Sequence, residues 1–91
     1  MTAVVDNNNT LVGIFTDGDL RRVIDADVNL RTTSIADVMT KGCVTITDNV
    51  LAAEALKVMD TKSINGLVVI NEKQQPVGAL NMLDMVKAGV I

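Results

Sequence analysis

The chain has 91 residues, of which 48% are hydrophobic and 21% charged, and its formal net charge at pH 7 is -3. This composition is typical of a small folded domain and excludes a disordered or fibrous segment. One Phe, no Trp and no Tyr, together with the negative charge, argue against nucleic-acid binding, which needs basic surfaces and aromatic stacking platforms.

The chain begins with a predicted β-hairpin that leads into a helix. Residues 2–6 alternate in polarity, 7–9 form an Asn-rich turn, and a second apolar segment spans Leu11–Phe15. The helix continues through 21–27. A polar connector, 28–34, then precedes a short helical turn at 35–39.

A strand, a helix and a second hairpin are predicted in the rest of the chain. The strand covers 43–46 and the helix 51–62, with an apolar stripe of Ala52, Ala55, Leu56 and Met59 and with Asp48 as its N-cap. The hairpin consists of 67–70, a polar turn at 71–76, and 77–80, and it again leads into a helix.

The two hairpins align without a gap at a shift of 65 positions, which places Val4 on Val69, Gly13 on Gly78 and Asp19 on Asp84. Such a match predicts an internal duplication. Counterparts of the strand and helix at 43–62 would fall before Met1, so we expect the first repeat to lack its opening strand and helix. We assign residues 1–32 to the first repeat and 33–91 to the second. We expect the two to pack as one module.

Residues Gly13 to Asp19 run from a strand into a helix start and allow two interpretations. Thr16 and Asp19 have the spacing of a capping box, in which they only satisfy the first amides of the helix. The same geometry favours an anion at the helix N-terminus and a sugar diol at the carboxylate. Arg21 and Arg22 follow, either steering a phosphate or pairing with Asp17 or Asp25.

The pattern Gly, two apolar residues, Thr, two variable residues and Asp resembles the ligand motif of cystathionine β-synthase (CBS) domains. That resemblance implies an α/β fold of tandem CBS repeats of the βαββα type. It also implies an adenosine nucleotide as regulatory ligand, with Thr16 contacting phosphate and Asp19 contacting ribose. The second-repeat equivalents are Asn81 and Asp84. That motif departs from the family pattern, because Asn81 replaces the hydroxyl residue and the two residues after it are apolar.

The run from Gly13 to Arg22, the stretch from Ser34 to Thr40 and the ending Lys-Ala-Gly-Val-Ile also resemble the tails of bacterial arabinose 5-phosphate isomerases. This implies an upstream sugar isomerase domain acting on the route to Kdo and lipopolysaccharide. A cytidine nucleotide sugar (CMP-sugar) then becomes an alternative ligand. The chain itself has no histidine and no carboxylate constellation suited to sugar enolisation, so we expect no catalytic site.

Several further expectations concern partners and location. No apolar run approaches the roughly 20 residues that span a bilayer, and no signal peptide is recognisable, which predicts a cytoplasmic protein without membrane contact. Acidic residues and the single Cys43 show no metal-ligand spacing, and Cys43 should pack as a small hydrophobe. A core this small favours a homodimer or higher homo-oligomer. Two hypotheses therefore remain: a ligand-binding regulatory module, or a purely structural dimerisation module.

Overall fold

The computed structural model describes residues 1–89, which form two compact units, Met1–Cys43 and a second unit that begins at Val44. The first unit contains β1 (Thr2–Val5), β2 (Leu11–Phe15), α1 (Asp17–Asp25) and α2 (Ile35–Val38). The second contains β3 (Thr45–Thr47), α3 (Ala52–Lys62), β4 (Gly66–Ile70), β5 (Pro76–Asn81) and α4 (Met82–Lys87). The predicted α/β fold is confirmed. Within the described range, no helix has the length and apolar character needed to cross a membrane.

The first unit is built on the predicted hairpin. β1 and β2 pair antiparallel, with Ala3 opposite Ile14. Beyond β2, Ile14 forms an isolated antiparallel bridge to Thr40, in which the two residues exchange backbone N–H···O bonds of 2.9 and 2.8 Å. This bridge brings the segment that follows α2 against the strand that leads into α1.

The second unit is a three-stranded sheet in the order β3-β4-β5, with α3 as the crossover between the parallel strands β3 and β4. β4 and β5 form the second hairpin. The core of this unit consists of the buried side chains of Ala55, Met59, Leu67 and Met85. Because α3 contributes two of them and α4 one, burial of apolar area holds both helices on the sheet.

The predicted duplication is visible at the level of single hydrogen bonds. Both hairpins carry a register irregularity at equivalent positions, after Val4 and after Val69. In each turn a side-chain Oδ1, of Asp6 or of Asn71, accepts from two backbone amides further along the chain. Asn9 and Gln74, which are equivalent at the shift of 65, both have φ of +63°.

Three local expectations need correction. Asp48 does not cap α3, because the helix begins later, with Leu51 at the N-cap position and no side-chain capping bond. Pro76 belongs to β5 rather than to the turn. α1 ends at Asp25, and Asp27 has a left-handed backbone with φ of +56°, which is incompatible with a continuing helix.

Candidate functional site

The Gly13 to Asp19 motif forms a complete capping box at the start of α1. The Thr16 hydroxyl accepts a hydrogen bond from the Asp19 amide at 3.2 Å. In return, Asp19 Oδ2 accepts from the Thr16 amide at 2.8 Å and from the Thr16 hydroxyl at 3.0 Å. The predicted capping box is thereby present, and its reciprocal bonds fix the first turn of the helix.

The other carboxylate oxygen of Asp19 is equally engaged. Oδ1 accepts from the Thr40 hydroxyl at 2.8 Å and from the guanidinium of Arg22. Asp19 is 1% exposed. Since an ionised carboxylate offers about four acceptor positions, intrachain donors occupy all of them. Asp19 is therefore a buried and fully satisfied charge.

The pKa of Asp19 reflects two opposing effects. Burial raises it, whereas the hydrogen bonds from Thr40, Thr16 and Arg22 lower it, and the net result is a pKa lowered to about 2. A carboxylate with a lower pKa in the folded state stabilises the fold above its unfolded pKa of about 3.9. That stabilisation is lost as the pH falls toward 2.

Arg22 does not form the ion pair that the sequence suggested. Of the two alternatives for the arginines, steering a phosphate or pairing with Asp17 or Asp25, the pairing is wrong for Arg22, since it pairs with Asp19 one turn before it. The Arg22 side chain remains 66% exposed while that of Asp19 is 2% exposed. The pair thus joins a solvent-exposed guanidinium to a buried carboxylate. The guanidinium has further N–H groups that can donate to an anion.

Thr40 is the residue at this motif that sequence reasoning missed. It lies 21 positions beyond Asp19, and no local spacing rule connects two residues so far apart. The only signal was its place at the end of the family-like stretch from Ser34 to Thr40. The Ile14–Thr40 bridge is what brings its hydroxyl to Asp19.

Gly13 has a steric role at the same place. A Cβ at this position would lie 2.6 Å from Met39 Sδ and 2.9 Å from the carbonyl oxygen of Thr40. Both distances are well inside van der Waals contact, and the second involves backbone. The glycine of the motif is therefore required by the close approach of residues 39 and 40.

The second motif has the same cap but a different environment. Asn81 is the N-cap of α4, and its side-chain oxygen accepts from the Asp84 amide at 2.7 Å. Asn81 and Asp84 are both exposed. Among residues 1–89 the carboxylate of Asp84 has no hydrogen-bond partner. The four predicted ligand residues thus fall into two capping pairs, one satisfied and buried and the other open to solvent.

Two further features of the site region bear on ligand chemistry. Cys43 is a free, half-buried thiol, and burial raises its pKa, which disfavours the thiolate. In the described part of the chain, no three His, Cys, Asp or Glu side chains are placed to hold a metal ion.

An open pocket of about 160 Å³ lies in the second unit, between the end of β3 and the first turns of α3. Its lining is mostly apolar and consists of Ile46, Thr47, Asp48, Val50, Leu51, Ala52, Ala55, Val69 and Leu80. Neither Asn81 nor Asp84 belongs to this lining, so the pocket is separate from the second motif.

Comparisons with known proteins agree with this architecture. The CBS domain family model matches residues 1–26 and 35–91. Arabinose 5-phosphate isomerase KdsD of Pseudomonas aeruginosa is 50% identical over 91 residues, which are 100% of this chain and 28% of that protein.

Solved structures of CBS proteins have the same fold. The CBS domain pair of protein MJ0100, in complex with 5'-methylthioadenosine and S-adenosyl-L-methionine, superposes with a TM-score of 0.83 at 22% identity, covering 96% of this chain and 70% of the other. CBSX2 in complex with AMP superposes with a TM-score of 0.81 at 25% identity, covering 97% of this chain and 69% of the other.

The chain spans under a third of the length of the isomerase from Pseudomonas aeruginosa that it matches.

Proposed function

The chain belongs to the CBS domain family, and from that premise we propose that it is the non-catalytic regulatory module of a D-arabinose 5-phosphate isomerase. The parent protein would interconvert ribulose 5-phosphate and arabinose 5-phosphate, upstream of Kdo and lipopolysaccharide. Its catalytic domain would precede this module in the same chain. The support is the match of the full 91 residues to the isomerase from Pseudomonas aeruginosa.

We further propose that the module binds a nucleotide or a nucleotide sugar at its strand-to-helix motifs. The observation that carries this is the arrangement at α1, where the Thr16 hydroxyl and the exposed guanidinium of Arg22 flank the Asp19 carboxylate. Hydroxyl and guanidinium groups bind phosphate, and a carboxylate binds a ribose diol. Asn81 and Asp84 would contribute the weaker, second site.

Two classes of compound are candidates for the ligand, each for a different reason. The structural relatives contain AMP, 5'-methylthioadenosine and S-adenosyl-L-methionine, all adenosine compounds. A CMP-sugar is the alternative, because it would report the output of the isomerase pathway as feedback. Adenosine nucleotides and CMP-sugars both carry ribose and phosphate beside a base, so the experiment must distinguish them by the base.

A second candidate function is an assembly module that binds no ligand. The observation in its favour is that Asp19 has all four acceptor positions filled by its own chain. Exposed apolar side chains on the helices also favour a partner subunit, since Ile24 and Leu83 are each 59% exposed. In this case Thr16 and Asp19 act as helix caps, and the CBS pairs join isomerase subunits as a homodimer or higher homo-oligomer.

Thermal denaturation with AMP, ATP, CMP and CMP-Kdo separates the two functions. A ligand at about 100 times its Kd stabilises the folded state by about 2.7 kcal/mol, which is several degrees in Tm for a domain of this size. We expect one of the four compounds to produce this shift. Asp19→Asn, which keeps the size of the side chain but removes its charge, should abolish the shift if the first motif is the site.

The matched control is Asp60→Asn, an exposed carboxylate on α3 that is remote in sequence from both motifs. It should leave the shift unchanged. Asp84→Asn tests the second motif in the same way. If none of the four compounds raises Tm at millimolar concentration, the ligand-binding proposal is wrong and the assembly function remains.

A further inference from the structure

The segment that follows α2 is fastened to the ligand motif by three different contacts. Ile14 and Thr40 exchange backbone hydrogen bonds, the Thr40 hydroxyl donates to Asp19 Oδ1, and Met39 lies against Gly13. Of these, only the Thr40–Asp19 bond involves an atom that the proposed ligand would use. It is therefore the contact through which the ligand and this segment compete.

A ribose can bind Asp19 only by displacing donors that are already present. Of the two donors on Oδ2, the Thr16 amide belongs to the capping box, so its loss would weaken the first turn of α1. The other is the Thr16 hydroxyl. The two donors on Oδ1 come from Arg22 and Thr40 and lie outside the cap. Oδ1 is accordingly the oxygen that a sugar hydroxyl would take over.

Arg22 and Thr40 differ in what displacement does to them. The Arg22 side chain is long and 66% exposed, so it can rotate toward a phosphate without moving its backbone. The Thr40 hydroxyl sits on a short side chain whose backbone is held at Ile14. It can leave Asp19 by rotation about χ1 or by movement of the segment, and in either case the segment loses one of the three contacts that fasten it to the motif.

We propose that a nucleotide ribose replaces the Thr40 hydroxyl at Asp19 Oδ1 and thereby loosens residues 39–43, the stretch that leads into β3. This inference rests on the proposed nucleotide site at Gly13 to Asp19. In the free protein Asp19 acts as a latch on Thr40, and in the bound protein it acts as a ligand residue. The conformational change starts at Thr40, because the ribose takes the place of its hydroxyl at Asp19 Oδ1.

The test compares Thr40→Val with wild type for binding of AMP, ATP, CMP and CMP-Kdo by isothermal titration calorimetry. Valine keeps the shape of threonine but cannot donate, so the ribose no longer competes with an intrachain hydroxyl. We expect Thr40→Val to lower Tm without nucleotide and to bind the nucleotide about tenfold more tightly, the change that loss of one competing charge-assisted bond produces. Thr40→Ser, which retains the hydroxyl, should return both values to wild type.

The control is Thr33→Val, since Thr33 is also half-buried and its hydroxyl has no hydrogen-bond partner in the described residues. It should leave nucleotide affinity unchanged. If Thr40→Val binds as wild type does or more weakly, the latch is wrong while the nucleotide site stands. If neither protein binds any of the four compounds, the proposed nucleotide site is wrong, and the latch, which depends on that site, is wrong as well. Binding by Thr40→Val alone supports both.

A second measurement uses wild type alone and does not depend on the stability of a variant. Saturating nucleotide should accelerate hydrogen exchange at the amides of Ile14 and Thr40, which bond to each other's carbonyls, while amides of the β4–β5 hairpin are slowed or unchanged. A ligand that only stabilises the fold would slow all of them. Slower exchange at Ile14 and Thr40 would overturn the latch.

Discussion

Asp19 and Asp84 are the same residue type at equivalent positions of a duplication, yet they have opposite environments. Asp19 is buried with four donors, whereas Asp84 is exposed and its carboxylate accepts no hydrogen bond from residues 1–89. The difference comes from Thr40 and its segment, which cover the first motif. The environment of Asp19 thus depends on Thr40, which lies 21 positions further along the chain.

Gly13 and Gly78 offer a matched test of the same asymmetry. A Cβ at Gly13 would meet Met39 and the Thr40 carbonyl below 3 Å, but one at Gly78 would meet Val69 at 3.7 Å, which is ordinary contact. Gly13→Ala should therefore lower the free energy of unfolding by about 1 to 3 kcal/mol through overpacking. Gly78→Ala should change it by less than about 0.5 kcal/mol.

Urea denaturation of both variants measures this difference. Equal losses of stability would mean that residues 39 and 40 do not approach β2 as described. In that case the close approach of residues 39 and 40 would not be the reason for a glycine at position 13.

The residues of the candidate site were only partly predictable from the sequence. Thr16 and Asp19 have a capping spacing that acts within four residues, and this local geometry was correctly anticipated. Thr40 was not, because its contact with Asp19 depends on a bridge between distant residues. Arg22 was assigned the wrong partner because Asp19 and Asp25 are both one turn away from it, and spacing alone does not show which of the two it contacts.

At the scale of elements, the helices differ in how their first turns are satisfied. Thr16 is the N-cap of α1 and Asn81 is the N-cap of α4, and each side chain accepts a hydrogen bond from an amide of its helix. The N-cap of α3 is Leu51, which is 69% exposed and makes no capping bond. The longest helix of the protein as described is thus the one whose start is least stabilised.

Leu51→Ser should correct this defect. Glu54 occupies the third position of α3, so a serine at the N-cap can complete a capping box with it. We expect the free energy of unfolding to rise by about 0.5 to 1 kcal/mol, because the capping gain exceeds the loss of a mostly exposed leucine. Thermal or urea denaturation will show it.

Leu51→Ala is the matched control, since it removes the same apolar atoms without supplying a cap. It should leave stability unchanged or slightly reduced. If serine and alanine have the same effect, the start of α3 is not limited by its missing cap.

The order and type of the elements could be predicted from periodicity and from the repeat, whereas their ends depend on local detail. The two hairpins and the long helix carry strong alternation or helical periodicity, and the shift of 65 positions predicted equivalent hairpins, which the turn hydrogen bonds confirm. The start of α3 was predicted to within one residue, but its cap was wrong, because Asp48 is favourable by residue type while the N-cap position falls on Leu51.

On the scale of the whole molecule, apolar surface is distributed unevenly. The described residues bury seven hydrophobic side chains and leave eleven large ones exposed, including Leu20 and Ile24 on one face of α1. Residues four positions apart lie on the same side of a helix, so these two form a small apolar patch. Exposed apolar area of this kind favours association with a second copy.

Sedimentation equilibrium of wild type and Ile24→Glu tests the association. Wild type should self-associate, and a charge in the patch should shift the protein toward monomer by about tenfold or more in dissociation constant, because burying an unpaired carboxylate is costly. Thr32→Glu, which adds the same charge in an exposed loop, should associate as wild type does. A monomeric wild type would contradict the homodimer.

The parallel pairing of β3 with β4 has a consequence for synthesis on the ribosome. Thr45 pairs with Val68, so β3 emerges with α3 still to be made before its partner strand exists. At translation rates of about 5 to 20 residues per second, β3 stays unpaired for about one second or longer. The strands of the β1–β2 hairpin are adjacent in the chain, and hairpins of this kind can form in about 1 to 10 microseconds once both strands are present. The nascent protein therefore carries one hairpin whose two strands are both present and one strand, Thr45–Thr47, whose partner strand is still to be made.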